Sequence, residues 1–333
     1  MKKVLGLLIS SLLLFFSCHK SKPSLYTLGI FQVNDAPTFN EVRKGFIKAL
    51  EDNGLEDGIN VQLIFRNGMG DIPEVQAIAE EFVNKKVQMI VALSTPCLQA
   101  ALHATRQIPI IFSSVANPFL AGAGTSPENH LKNVTGISSR GPIKESLAFL
   151  KEILPQAKRI GTLWTPSEIN SEYYLELARQ AARELDLKII AVPVANKSEV
   201  LLSVQELVNR RIDAIYQISD NTINAAFEAV GKVAEENGLP LFGGFLLSTH
   251  FGACAALGWD FFDMGYKAGQ IAIQVKNGQD PASIPIQYMS KARLYLNLNA
   301  AKNQGVIFSK EILKRADEII GIEEKPSQDS ELQ

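Results

Sequence analysis

The sequence predicts an α/β protein of two lobes, each a parallel sheet covered on both faces by helices. Three observations predict it. The chain has 333 residues, about two domains' worth. From Tyr26 almost to the end, short β-rich apolar runs alternate with amphipathic stretches of helical length, the pattern of a parallel sheet wound by crossover helices. The alternation runs through one array, pauses near Asn133–Pro142, and then restarts.

The elements follow in order. Tyr26–Val33 (YTLGIFQV) reads as a buried strand, and Phe39–Asn53 as a helix with Val42, Phe46, Ile47 and Leu50 on one face. Ile59–Phe65, Val87–Leu93 and Ile108–Val115 read as further strands, with helices at Ile72–Lys85 and Pro96–Thr105 between them. The second array begins with a helix at Lys144–Leu154. Strands are expected at Arg159–Trp164, Leu187–Val194, Ile212–Ile218 and Leu239–Phe245. Helices are expected at Ser171–Leu185, Ser198–Arg210 and Ile223–Asn237. A final section holds Ala253–Trp259, a helix at Met264–Lys276, a strand near Arg293–Leu298 and a helix at Lys310–Ile320. The polar tail at 322–333 reads as disordered.

The N-terminus carries a separate message. Met1-Lys2-Lys3 is basic, and Val4 to Ser17 runs uncharged and rich in Leu and Phe. That run is shorter than the roughly 20 apolar residues of a membrane-spanning helix, and it fits a secretory signal at 1–17. Ser17-Cys18, with Leu14 and Phe15 just before, resembles the lipobox of bacterial lipoproteins. Cys18 would then carry the lipid, and 18–25 would be a tether to the membrane. The alternative is a plain cleaved signal with an incidental cysteine. The expected place is the cell envelope, at the periplasmic or extracellular face.

Composition excludes some function classes. A net charge of −2 gives no basic field for nucleic acid. Beyond Cys18 only Cys97 and Cys254 remain. They lack CxxC spacing and read as small buried residues. The four histidines, at 19, 103, 130 and 250, show no metal-ligand spacing, so neither a metal nor a cofactor is expected. There is no GxSxG elbow and no GxxxxGK[ST] loop. No catalytic residue is assigned and no enzyme is expected.

Ligands of open parallel sheets bind beyond the carboxyl ends of the strands, and those ends are unusually polar here. The first array offers Gln32, Asp35, Ser94, Thr95, Ser114 and Asn117. The second offers Asn170, Ser171, Asp220 and Asn221. Each could merely cap a helix, since Ser, Thr, Asp and Asn are preferred N-caps. The collection argues for a cleft, because both arrays present such ends. Helix N-termini and hydroxyls suit a carboxylate, and Asp220 or Asp35 would suit an ammonium. Phe31, Trp164 and Phe245 are candidate stacking walls, with core packing as the alternative.

Several motifs in one order now carry a resemblance. They are LGIFQVNDAPTFNEVRKGF, LSTP at 93–96, IPIIFSSVANP at 109–118, NVTGIS at 133–138, IGTLWTPSEINSE at 160–172, SDN at 219–221 and GACAALGWDFFDMG at 252–265. From about Leu28 to Ile320 the chain resembles ABC-transporter substrate-binding proteins that take tryptophan or tyrosine. The resemblance implies a type I periplasmic-binding fold with a three-segment hinge. Lobe 1 would be 26–136 with about 259–290, and lobe 2 would be 137–258 with about 291–321. It also implies an ABC permease and ATPase as partners. Ala36 and Trp164 depart from the family pattern, which more often has His and Tyr there. An aromatic amino acid is the first expectation for the ligand. Another solute, a ligand-sensing role and a surface adhesin on the same scaffold stand as alternatives.

Overall fold

A computed structural model of the protein describes residues 25–321. The expected signal segment, Cys18, most of the expected tether and the segment expected to form a tail lie outside the described residues. Two sheets organise the chain.

The first array builds β1 (Tyr26–Gln32), α1 (Pro37–Asp52), β2 (Val61–Asn67), α2 (Ile72–Asn84), β3 (Met89–Leu93), α3 (Thr95–Ala104), β4 (Ile110–Val115) and β5 (Val134–Ser138). The second builds α4 (Ile143–Ile153), β6 (Arg159–Trp164), α5 (Ile169–Glu184), β7 (Lys188–Pro193), α6 (Val200–Asn209), β8 (Ala214–Gln217), α7 (Asn221–Asn224), α8 (Phe227–Glu236), β9 (Leu241–Gly243) and β10 (Ala255–Gly258). The chain then returns to the first sheet with α9 (Phe261–Lys276) and β11 (Gln287–Tyr288). It finishes on the second with β12 (Arg293–Asn297), α10 (Leu298–Asn303), α11 (Lys310–Arg315) and β13 (Glu318–Ile320).

The strand orders are β11-β5-β4-β3-β1-β2 and β13-β12-β10-β9-β8-β6-β7. The chain therefore passes between the sheets three times, after β5, after β10 and after β11. Among the described residues every strand pair is parallel except β10 with β12.

Alternation along the strands sends side chains to two helical layers. In β1, Leu28 and Ile30 pack with Val42 and Phe46 of α1. Phe31 faces the other way, onto Phe82 of α2. In lobe 2, Ile160 and Leu163 of β6 divide in the same manner between two clusters. The returning helix α9 belongs to lobe 1 because two glycines let it lie directly on α1. A Cβ at Gly45 would stand 2.0 Å from the Phe262 carbonyl oxygen, and one at Gly265 would stand 1.9 Å from that of Val42.

Three expectations are corrected. NVTGIS, where the alternation was expected to pause, holds a further strand, β5. Ile223–Asn237 is not one helix: the chain bends at Ala225–Ala226, and α8 then turns Phe227, Val230 and Val233 onto the core. The helix at Lys310 stops at Arg315. There Asp317 accepts from the Leu294 backbone N–H at 2.8 Å and steers the chain into edge strand β13 beside β12.

Three ties draw the crossing segments together. The Trp259 indole donates to the Arg140 carbonyl at 2.7 Å. The Ser146 hydroxyl donates to the Leu257 carbonyl at 2.9 Å. Arg293 forms ion pairs with Asp260 at 2.9 Å and Asp263 at 2.6 Å.

Candidate ligand-binding cleft

Parallel register sets the cleft's floor. Gln32 is opposite Leu93, and Leu93 is opposite Ser113, so β1, β3 and β4 end at one level. The residues just beyond them face lobe 2. Between Phe112 and Val115 the β4–β5 register slips, and Ser114 takes φ 57°. A non-glycine residue rarely adopts that left-handed conformation. The Ser114 hydroxyl has one weak partner, the Met264 sulfur at 3.8 Å.

A cavity of about 20 Å³ lies between the lobes, room for about one water. Lobe 1 lines it with Thr38, Phe39 and Ser114. Lobe 2 lines it with Asn170, Tyr174, Asn221 and Asn224, the crossing segment after β5 adds Ser139, and the start of α9 adds Phe261. Wider hollows of about 340 and 520 Å³ flank it at the rim, and both are bordered by Asp35 and Lys197. One bond joins the lobes across the gap, Asn34 Nδ2 donating to the Asn221 carbonyl at 2.9 Å, and the Tyr174 hydroxyl ties lobe 2 to the crossing segment by donating to the Ser139 carbonyl at 2.6 Å. Burial pushes the Tyr174 hydroxyl up to about 12, so it keeps its proton.

Lobe 2 places two buried carboxylates behind the cavity. Glu168, 8% exposed, precedes α5. It accepts from Asn170 Nδ2 at 2.9 Å, from Asn221 Nδ2, and from the Thr222 hydroxyl at 2.8 Å. Burial raises its pKa to about 7, helped by the negative charge of Asp220 and opposed by those three donors. Asp220 is raised too, by burial. Among the described residues neither carboxylate forms an ion pair.

The expected residues divide into two groups. Ser114, Asn170 and Asn221 line the cavity. Asp35 stands exposed at the rim and bonds Asn67. Gln32 and Thr95 are buried near the strand ends, and Gln32 Oε1 and Thr95 Oγ1 have no partner. Ser94 caps α3 at the Cys97 N–H, and Asn117 caps the turn that follows it. Ser171 accepts from the Thr165 N–H at 2.9 Å.

Asp220 is not at the cavity. Its oxygens accept from the Thr165 N–H and hydroxyl, both at 3.0 Å, and from the Ile223 N–H at 2.9 Å. Its acceptor positions are occupied internally, unlike those expected of an ammonium partner. The expected stacking walls are engaged internally as well. Phe31 packs edge-on against Phe82, and Phe245 edge-on against Phe227. Trp164 packs against the lobe 2 core. The rings at the cavity are Phe39, Tyr174 and Phe261.

Sequence reasoning missed those three rings. Tyr174 was detectable, because it lies four residues after Asn170 on one helix and so shares its face. Phe261 opens α9 where the chain returns to lobe 1, and Ser139 sits on a crossing segment; no local pattern marks either one. Glu168 was visible in the loop after β6 but looked like one more helix-start residue.

Cys97 and Cys254 are buried, and burial pushes each thiol up to about 12. Among the described residues no helix is long and apolar enough to cross a membrane, and no group of His, Cys, Asp and Glu could hold a metal ion.

Comparison with known proteins agrees with this architecture. Over 275 residues the chain is 37% identical to a tyrosine-binding protein of Clostridioides difficile, covering 83% of this chain and 79% of that one. An ABC domain solved in complex with L-Trp from Streptococcus pneumoniae is 26% identical, with a TM-score of 0.85 over 89% of this chain and all of that one. A ligand-free, open substrate-binding protein with adhesive properties from Clostridium difficile is 30% identical, yet its TM-score is 0.67 over 90% of this chain and all of that one. More distant solute-binding proteins share the type I periplasmic-binding fold. Residues 27–320 match the family described as ABC transporter substrate binding protein. The chain belongs to that family of ABC-transporter substrate-binding proteins.

Proposed function

We propose that this protein is the solute-binding component of an ABC importer and that its solute is an aromatic amino acid held in the interlobe cleft. The observation that carries the reading is the cavity itself, which joins aromatic rings and polar atoms from both lobes at the strand ends. The relative named for tyrosine and the structure holding L-Trp support the ligand class. The lobes lie nearer to the arrangement in the L-Trp complex than to the open one, although the open protein is the more similar in sequence. A cavity this small admits an amino acid only if the lobes part. Rotation about the three crossing segments would do that. The start of α1 has no side-chain cap, and because Pro37 lacks an N–H and the Phe39 and Asn40 N–H groups donate to the Ala36 carbonyl, the Thr38 N–H and the helix dipole suit the ligand's carboxylate. Phe39, Tyr174 and Phe261 would pack the side chain.

The same reading makes the chain exported and lipid-anchored through Cys18, with a permease and ATPase as partners and no reaction of its own. The test is calorimetry and thermal unfolding of the purified protein with the common amino acids. Tyrosine or tryptophan at 100 times its dissociation constant should add about 2.7 kcal/mol of stability. Absence of any effect from both would overturn the ligand class. A second reading, surface adhesion, is favoured by the adhesive relative. It predicts that cells displaying the protein attach to surfaces better than cells lacking it, with or without tyrosine present.

A further inference from the structure

Asn170 is the most informative side chain at the cavity. It is 5% exposed, it lines the space between the lobes, and its Oδ1 has no hydrogen-bond partner. Its Nδ2 donates to Glu168 at 2.9 Å, which fixes the orientation of the amide. What remains is a buried acceptor without a partner, on a side chain that lines the cleft cavity. A buried acceptor without a donor is costly, so the missing partner should be a donor on the ligand. Behind the amide stands a buried carboxylate with no cationic side chain paired to it. A ligand that brings a positive charge would satisfy both.

Building on the reading that an amino acid fills the cleft, we propose that Asn170 and Glu168 form the subsite for the ligand's protonated amino group. Asn170 Oδ1 accepts from that group directly. Glu168 acts as a positioning residue, orienting the amide and supplying the countercharge. The amino group then lies toward lobe 2 and the carboxylate toward the start of α1 in lobe 1. This gives the cleft a direction and makes the amino group a condition of binding.

The charge has a proton consequence. Glu168 is faced by Asp220 from the α7 side, and the hollow it borders also contains Asp35 from lobe 1 and Lys197 from the loop after β7. With its pKa near 7, much of Glu168 is protonated at pH 6. A cationic ligand favours the ionised form, so binding there expels a proton into the buffer. Affinity should then rise as pH climbs from 5.5 to 7.5.

The experiment compares L-tyrosine and L-tryptophan with their analogues lacking the amino group, 3-(4-hydroxyphenyl)propionate and indole-3-propionate. Calorimetry on the unaltered protein, at pH 5.5 and 7.5 in two buffers of different ionisation enthalpy, needs no variant. The amino acid that binds should do so at least 100-fold more tightly than its analogue, with a fraction of a proton released at the lower pH. In Glu168→Gln the preference should fall at least tenfold and the proton release should vanish. Gln can still accept from both asparagines and donate to the Thr222 hydroxyl, so the variant should fold. Asn170→Leu, which removes the acceptor, should also cut the preference at least tenfold. Equal binding of amino acid and analogue, or binding without proton release, would overturn this assignment and leave the ligand class standing. Failure of both amino acids to bind would remove the ligand class and the assignment together.

Discussion

The two lobes meet the cleft with different equipment. Lobe 1 brings backbone: the uncapped start of α1, and Ser114 held in the left-handed region. Lobe 2 brings buried side chains: Glu168 and Asp220 behind a screen of Asn170, Asn221 and Thr222. Each lobe carries an unfavourable feature there. In lobe 1 it is a strained residue, and in lobe 2 it is a pair of desolvated carboxylates. Away from the cleft both lobes are ordinary layered α/β structures with alternating strand burial. The difference teaches that the two costs borne at the cleft are of separate physical kinds. Separate substitutions should therefore relieve them.

The largest effect should come from the lobe 2 carboxylates. Glu168 has an ordinary value of 4.5 and a folded value near 7. The folded protein thus binds its proton more tightly than the unfolded chain does. The resulting stability is complete below pH 4.5 and is lost as pH rises through 7. The cost is shared with Asp220, whose charge adds to it. Glu168→Gln imitates the protonated form at every pH. The variant should match the wild type in urea unfolding at pH 5 and exceed it at pH 8 by on the order of 1 kcal/mol or more. A difference that is the same at both pH values would mean that Glu168 carries no special cost.

The fold was far more legible in the sequence than the site. Buried parallel strands and amphipathic helices leave periodic signals, and every strand from β1 to β4 was visible as an apolar run. The elements misread were those set by tertiary pairing. NVTGIS carries a glycine and short polar residues and becomes a strand only beside β4. The end of the Lys310 helix is fixed by strand β12. At the cavity, strand-end position pointed to Ser114, Asn170 and Asn221, which line it, but it could not separate cavity-lining groups from caps. Asp220 and Glu168 are both acidic residues at helix starts. Only packing shows that Asp220 is occupied by the Thr165 loop, while Glu168 reaches the cleft through Asn170. Aromatic residues misled for a related reason: Phe31 and Phe245 follow the strand pattern and are core. Phe39, Tyr174 and Phe261 lie on helices and reach the cleft only because the two lobes face each other.

A smaller effect is expected from the strained residue of lobe 1. Ser114→Gly removes the side chain from a backbone conformation that disfavours it, a relief of roughly 1–2 kcal/mol. The unfolded chain gains freedom with glycine, which returns roughly 0.5–1 kcal/mol. The net stabilisation should be about 0.5–1 kcal/mol and independent of pH, unlike that of Glu168→Gln. The Ser114 hydroxyl is lost as well, so amino-acid affinity should fall a few-fold while stability rises. Loss of stability in the glycine variant would show that the hydroxyl contact to Met264 outweighs the strain.

The smallest effect tests the contact that belongs to neither lobe alone. Asn34 Nδ2 donates to the Asn221 carbonyl across the gap, and Asn34 Oδ1 accepts from the Ala36 N–H within its own loop. Parting the lobes breaks the first bond and spares the second. Asn34→Ala should therefore bear on closure more than on the folding of either lobe. A neutral hydrogen bond contributes about 1 kcal/mol net, so the closed arrangement should lose about fivefold in population relative to the open one. If the ligand needs the closed arrangement, affinity falls by the same factor. The change should appear in the dissociation rate, because the bond forms after the ligand has entered. Stopped-flow release of the bound amino acid measures it directly. An unchanged dissociation rate would mean that the Asn34 bond does not hold the lobes, leaving the ligand itself to do so. An accelerated rate with unchanged urea unfolding would place the effect in the motion between the lobes and outside the stability of either one.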